Sequence, residues 1–333
     1  MKSLKQFFSL FLRIAVSLAL LFFLLRQVGI ENLISILKSA NLPLLALAFL
    51  LNFLNFVFCL FRWEMLLKTT KIHLSLKRVI MAFAGGVFFN MFLPTSIGGD
   101  LVRSIDLATH TKKPREIVAT VLLDRLSGYI GLVLVAIMAV LLGYRIIGRE
   151  EKMSILISVG ILATVLIVAL LAIFNRFVYT KINTLLHSPK AGRIREAIKN
   201  LHQEMHIFRH HTGTAFKNLL FSITIQLIQP IVFLLIASSL GIKINVLYFF
   251  IFIPIITAIT FLPISIGGLG LRDLSSVLYF TKVGVSKDLA FSMSLMASSF
   301  LLIYGVIGGI IYVLTIHHRR KQYNKPRAVP PLE

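Results

Sequence analysis

The chain has 333 residues, of which 57% are hydrophobic and 14% charged, with a mean hydropathy of +0.87. That apolar share excludes a soluble globular class and points to a polytopic membrane protein. The net charge of +22 argues for a positive-inside topology and not for nucleic-acid binding, because the basic residues sit between apolar runs and no aromatic-interleaved basic platform accompanies them.

The first apolar run, Phe7–Leu25, follows Lys2 and Lys5 as a signal peptide would. It is long and lacks a small-x-small cleavage site, so it reads as a retained first span, with Arg13 inside it. Residues 26–41 read as a short loop. The second span is Leu42–Phe61, with Asn52 and Asn55 on adjoining faces. Residues 62–78 then carry Arg62, Lys68, Lys71, Lys77 and Arg78 against Glu64.

Val79–Leu93 precedes Pro94. Its fifteen residues make roughly 22 Å of helix, short of the ~30 Å hydrocarbon core. A short, partly polar helix follows from Asp100 to His110, and then Lys112, Lys113 and Arg115. With basic flanks on both sides, residues 79–109 are expected to form a re-entrant hairpin tipped at Pro94–Gly99. Ile117–Leu142 is the third span, with Asp124 and Arg125 inside it, and Ile155–Phe174 is the fourth.

Residues 175–217 hold eight Lys/Arg and two Glu. Ile194, Ile198, Leu201, Met205 and Phe208 recur there at helical spacing, which predicts an amphipathic helix on an anionic cytoplasmic leaflet. Asn218–Ser238 is the fifth span. Residues 247–280 are expected to be a second hairpin, broken at Pro263, Gly267 and Gly268. Leu289–Ile316 is the sixth span, and residues 317–333 form a basic tail.

With both termini cytoplasmic, 23 Lys/Arg and 5 acids fall inside and 8 and 4 outside, as the positive-inside rule favours. The expected architecture is therefore all-α and integral to the cytoplasmic membrane, with about six transmembrane helices and two hairpins in one membrane domain spanning 1–316. The sequence leaves the oligomeric state open.

The two hairpin tips are copies of one another. Phe92-Leu-Pro-Thr-Ser-Ile-Gly-Gly-Asp-Leu-Val-Arg103 recurs 169 residues later as Phe261-Leu-Pro-Ile-Ser-Ile-Gly-Gly-Leu-Gly-Leu-Arg272, with eight of twelve positions identical. Three crossings separate the copies, so halves 1–142 and 155–316 are expected to be inverted, an arrangement typical of secondary transporters.

Proline ends the first arm of each hairpin. The glycine pairs Gly98-Gly99 and Gly267-Gly268 either turn the backbone toward a ligand or pack the hairpins closely. Ser96 and Ser265 are placed to cap the second arm, whose N–H groups favour an anion such as phosphate. Arg103 and Arg272 lie about one turn on and would bind that anion. Alternatively, Arg103 pairs with Asp100 and Asp106 on its own helix face.

Asp124 and Arg125 either join this network, with Arg125 facing Asp100 or Asp106 and Asp124 facing a base, or snorkel to the interface. Arg272 and Asp273 are adjacent and need separate partners. His202, His206, His210 and His211 have no acidic or cysteine partner and read as a solvated face, so neither metal nor cofactor is expected. The single cysteine, Cys59, has no disulfide partner in the chain.

The motifs Pro94-x-Ser-x-Gly-Gly-Asp-x-x-Arg103, Asp124-Arg125 and Pro263-x-Ser-x-Gly-Gly-x-Gly-x-Arg272-Asp273 resemble the lysylphosphatidylglycerol synthase transmembrane-domain family, also called the flippase-like domain family. The resemblance covers about residues 7–316. Asp273 and Asp124 stand where that family's pattern has Glu, keeping the charge with a shorter reach. In multiple peptide resistance factor a similar membrane domain is joined to a soluble aminoacyltransferase. Here 17 residues follow Ile316, so the resemblance implies translocation or handling of an anionic or phosphate-bearing lipid, without lysyl transfer by this chain. No catalytic constellation stands out. The alternative is a membrane subunit that presents lipid to a separate glycosyl- or aminoacyltransferase.

Overall fold

The computed structural model describes residues 22, 26, 30–70, 72–92, 98–174, 212–261, 265 and 267–323, and these are all-helical in regular structure. The helices are α1 (Ile30–Lys38), α2 (Leu42–Thr69), α3 (Leu76–Phe92), α4 (Gly98–Thr111), α5 (Pro114–Gly143), α6 (Arg149–Phe174), α7 (Thr212–Ser239), α8 (Leu247–Thr260), α9 (Leu271–Thr281) and α10 (Lys287–Tyr323). Five of them, α2, α5, α6, α7 and α10, are long and apolar enough to cross a membrane. The expected first span, residues 7–25, lies outside the described residues except for Phe22, as do almost all of the basic segment 175–217 and residues 324–333.

Local chemistry sets several boundaries. Asn41 caps α2, its side-chain oxygen accepting from Leu44 N at 3.3 Å, and a proline follows in the first turn. Pro114 opens α5. Lys112, at φ +56°, makes the left-handed turn between α4 and α5.

Three boundaries differ from the sequence reading. Residues 26–41 are not all loop: α1 forms there and buries Leu33. Residues 212–217 belong to the transmembrane helix α7 and not to an interfacial segment. The last helix runs to Tyr323, past the expected start of the tail at residue 317, because no proline or glycine interrupts it there.

The 169-residue offset extends well beyond the tip motif. Shifted by that amount, α2 falls on 211–238, α3 on 245–261, α4 on 267–280 and α5 on 283–312, the places of α7, α8, α9 and α10. The two units embrace each other. Helices α2 and α7 pack antiparallel, joined by Asn41 N donating to Ser239 O (2.9 Å) near one end and Arg62 donating to Ser222 Oγ (3.0 Å) near the other. Helix α3 lies along α10, with Met91 against Gly305 and Ala84 against Gly308. In the equivalent exchange, α8 lies along α5: Ile251 meets Gly143, and Ala258 joins Leu132 and Val133.

Each short pair doubles back. Arg78, in the first turn of α3, bonds the carboxylate of Asp106 (2.7 Å) near the end of α4. At the other hairpin Phe249, near the start of α8, packs at a tilt against Phe280 near the end of α9, with ring centroids 5.3 Å apart. Because α2 and α7 are antiparallel, the first hairpin opens at one end of the bundle and the second at the other. Gly305 lies nine residues inside the span end at Leu314, roughly 14 Å at the helical rise, so the tip of α3 stops well within the apolar layer.

Candidate functional site

Two charges on α4, two on α5 and one on α2 meet under the first hairpin. Asp100 and Arg103 are one turn apart on α4 and pair at 2.9 Å. Arg103 Nη2 also reaches Asp124 Oδ2 on α5 at 2.9 Å, and the other oxygen of Asp124 takes Arg62 Nε of α2 at 2.8 Å. Arg125 Nε closes on Asp100 Oδ2 at 2.5 Å. From Arg62 the chain passes to Ser222 of α7. One unbroken set of charge-assisted bonds therefore ties α2, α4, α5 and α7 together.

The surroundings are built for these cations. The Arg103 guanidinium lies 4.4 Å from the centroid of Trp63, whose indole N–H donates to Thr120 Oγ1 at 3.3 Å. Trp63 is fully buried in a small core with Leu67, Val79, Ala82, Leu107 and Ile117. Gly128 leaves space for Arg62, since a Cβ there would sit 3.2 Å from Nη1. Arg103 and Asp124 are each only 4% exposed. Desolvated charges at that depth persist because each has its counter-charge in contact. Arg103 is thus paired with Asp100 and Asp124, while Asp106 belongs to Arg78. Asp124, its side chain 6% exposed, is held by Arg62 and Arg103, and Arg125, though 39% exposed, is held by Asp100, so both join the network.

The identical glycine pairs do different work. Gly98 and Gly99 begin α4 in helical conformation. A Cβ on Gly99 would overlap the Gly86 carbonyl and the Asn90 amide, so this pair lets α3 and α4 touch. Gly99 N donates to Asn90 Oδ1 at 2.8 Å. Gly267 and Gly268 have φ of +58° and +79° and turn the chain, as does Gly270 at +75°. Gly267 sits above the Asn90 carbonyl, 3.6 Å from where its Cβ would be. Asn90 is therefore the junction of the two hairpins, holding one tip with its side chain and supporting the other with its backbone.

The second hairpin is wired more sparsely. Asp273 is fully buried; it accepts from Gly270 N at 2.9 Å and from Ser294 Oγ at 2.6 Å. Asp273, not Ser265, caps α9. It does so because the glycine turn carries the helix start to Leu271, six residues beyond the serine. Ser265 is 4% exposed and its Oγ has no partner among the described residues. Arg272 folds back over the tip, donating to Gly267 O and Ser298 Oγ, each at 3.4 Å. Among the described residues no carboxylate lies within ion-pair distance of it. Ser96 and Pro94 of the first tip, and Pro263 of the second, lie outside the described residues.

Sequence reasoning missed Arg62, Trp63, Asn90 and Ser222. Arg62 directly follows the apolar run of span two and looks interfacial, yet an intramembrane Asp124 requires a cation from some other helix. Asn90 is a single amide in an apolar run, which from sequence signals no more than interhelical glue. His202, His206, His210 and His211 lie outside the described residues, among which no three His, Cys, Asp or Glu gather as a metal set.

Residues 10–309 match the family described as lysylphosphatidylglycerol synthase TM region. A UPF0104 membrane protein of Pyrococcus horikoshii is 24% identical, the match covering 86% of this chain and 91% of that protein. The chain belongs to the lysylphosphatidylglycerol synthase TM-region family and is a multi-pass membrane protein.

Proposed function

We propose that this member of the lysylphosphatidylglycerol synthase TM-region family moves a lipid with an anionic, phosphate-bearing head group between leaflets of the cell membrane, and is not itself an enzyme. The observation that carries the reading is the junction at Asn90, where two short hairpins opening to opposite ends of the bundle meet tip to tip. A head group entering from either end would reach the same junction, while its acyl chains stay in the lipid outside. Such a centre is what alternating access requires. The family's name, which refers to a phosphatidylglycerol derivative, supports a lipid as cargo.

The ion-pair chain supplies one of the two moving bodies. Helix α4 is held to α2, α5 and α7 by buried pairs at 2.5–2.9 Å and by the Arg62–Ser222 bond. It would travel with them as a unit. The α3–α10 seam instead seats Met91 on Gly305, Phe88 on Gly309 and the Ala84 backbone on Gly308, with no salt bridge across it among the described residues, and it is the surface on which the units would slide.

The test is reconstitution of the purified protein into liposomes carrying head-group-labelled phosphatidylglycerol, with a membrane-impermeant quencher added outside. Quenching beyond the half accessible in protein-free liposomes is expected. Quenching no greater than in protein-free liposomes, with and without a pH gradient, sinks transport. The second reading, a subunit presenting lipid to a separate transferase, is favoured by the family's name as the membrane region of a synthase. It predicts that such an enzyme co-purifies with a chain that moves no lipid.

A further inference from the structure

The two copies of the tip motif have the same arginine in opposite circumstances. Arg103 is engaged by two carboxylates at 2.9 Å and stacked on Trp63. Among the described residues Arg272 donates to a serine hydroxyl and a carbonyl, both at 3.4 Å, the far limit of a hydrogen bond. Its neighbour Asp273 is occupied with Gly270 N and Ser294. In the same turn, Ser265 is buried with a hydroxyl that has no partner among the described residues, although buried polar groups are nearly always bonded. The turn also opens α9, an eleven-residue helix whose N-terminal dipole favours an anion. A cation with no carboxylate in ion-pair contact and a hydroxyl with no partner, both among the described residues, therefore coincide with a helix start at one tip.

We propose that the second hairpin alone takes the anionic group: Arg272, Ser265 and Ser298 bind one phosphate borne by a lipid, and Arg103 is a structural clamp that never contacts it. The proposal rests on the lipid-transport reading for its cargo, but the site itself can be tested without transport. The phosphate supplies what each group lacks. Its anionic oxygens would accept from the guanidinium and from the two hydroxyls, bonds stronger than the 3.4 Å contacts they replace. The site offers one guanidinium, which suits the single negative charge of a phosphodiester.

The experiment uses the full chain in detergent, with thermal unfolding followed by Trp63, the single tryptophan. The probes are dihexanoyl phosphatidylglycerol, dihexanoylglycerol and inorganic phosphate. Phosphatidylglycerol is expected to raise the unfolding temperature saturably, and dihexanoylglycerol is not. A response to inorganic phosphate equal to that of phosphatidylglycerol would overturn the lipid as the source of the phosphate.

Arg272→Gln is expected to unfold no earlier than wild type, because it removes a poorly compensated buried charge. Its half-saturating phosphatidylglycerol concentration should rise about tenfold or more. Ser265→Ala should raise that concentration by a smaller factor. Arg103→Gln is expected to unfold earlier and still bind with the wild-type concentration dependence. The site is overturned if Arg272→Gln binds as wild type does, or if folded Arg103→Gln has lost binding. Wild type that binds through Arg272 but moves no lipid would end the transport reading and leave the site standing. Arg272→Gln that binds and moves lipid normally would do the reverse.

Discussion

Asp124 is the residue that joins the first hairpin's charges to α2, because one of its oxygens takes Arg62 and the other takes Arg103. Replacing it by Asn keeps the volume and leaves both cations without that counter-charge. Removing one partner of a buried pair costs about 3–5 kcal/mol, so Asp124→Asn should sharply lower the unfolding temperature of the purified protein. Trp63 fluorescence should shift at once, since the Arg103 guanidinium lies on that ring. Asp124→Glu should recover much of the loss. An Asp124→Asn protein as stable as wild type would show that the pairs make no net contribution. Residues of this kind were partly legible in the sequence. Asp124 and Arg125 stand out because intramembrane charges are costly and need a reason. Arg62 does not, because it abuts an apolar run as any flanking arginine would, and its partner is 62 positions away.

At the scale of elements, the glycines separate contacts from spacers. Gly308 of α10 faces α3, and a Cβ there would come within 2.7 Å of the Ala84 carbonyl, which is backbone and cannot swing aside. Gly160 of α6 has nothing within 4 Å. Gly308→Ala should therefore cost about 1–3 kcal/mol by overpacking. Gly160→Ala should be neutral or stabilise by roughly 0.5–1 kcal/mol through helix propensity. Thermal unfolding of the two variants side by side checks this, and equal effects would mean that α3 does not touch α10 as described. The elements themselves were largely readable, since apolar run length marks spans and prolines with glycine pairs mark the breaks. The division of labour between the glycine pairs was not. Gly98-Gly99 serves packing and Gly267-Gly268 serves a turn, a difference that follows from residues around them and not from the repeated motif. The cap on α9 shows the same limit: Ser265 has the right chemistry, but Gly270 moves the helix start to where only Asp273 can reach it.

At the scale of the molecule, the arrangement depends on hairpins that return to the end they left. Arg78 bonding Asp106 closes the first at its base, and Phe249 against Phe280 closes the second. A helix of 17 residues such as α3 spans roughly 25 Å and one of 14 such as α8 roughly 21 Å, so neither crosses a ~30 Å core unaided. The proposed topology therefore has the linkers flanking each hairpin on one side of the membrane, and the two hairpins on opposite sides. Single cysteines at Ser75→Cys, Lys113→Cys, Lys243→Cys and Lys282→Cys, each in a Cys59→Ser background, would be labelled with an impermeant maleimide in right-side-out and inverted vesicles. Ser75→Cys and Lys113→Cys should react from the cytoplasmic side, where the positive-inside rule places the basic segments 62–78 and 110–116. Lys243→Cys and Lys282→Cys should react together from the outside. If Ser75→Cys and Lys113→Cys reacted from opposite sides, α3 and α4 would be a crossing and not a hairpin. The two tips would then no longer be approached from opposite leaflets, and the Asn90 junction would lose its place in any alternating-access cycle. The co-labelled outcome instead fixes both hairpins as dead ends that meet inside the membrane, the geometry on which the proposed exchange of a head group between leaflets depends.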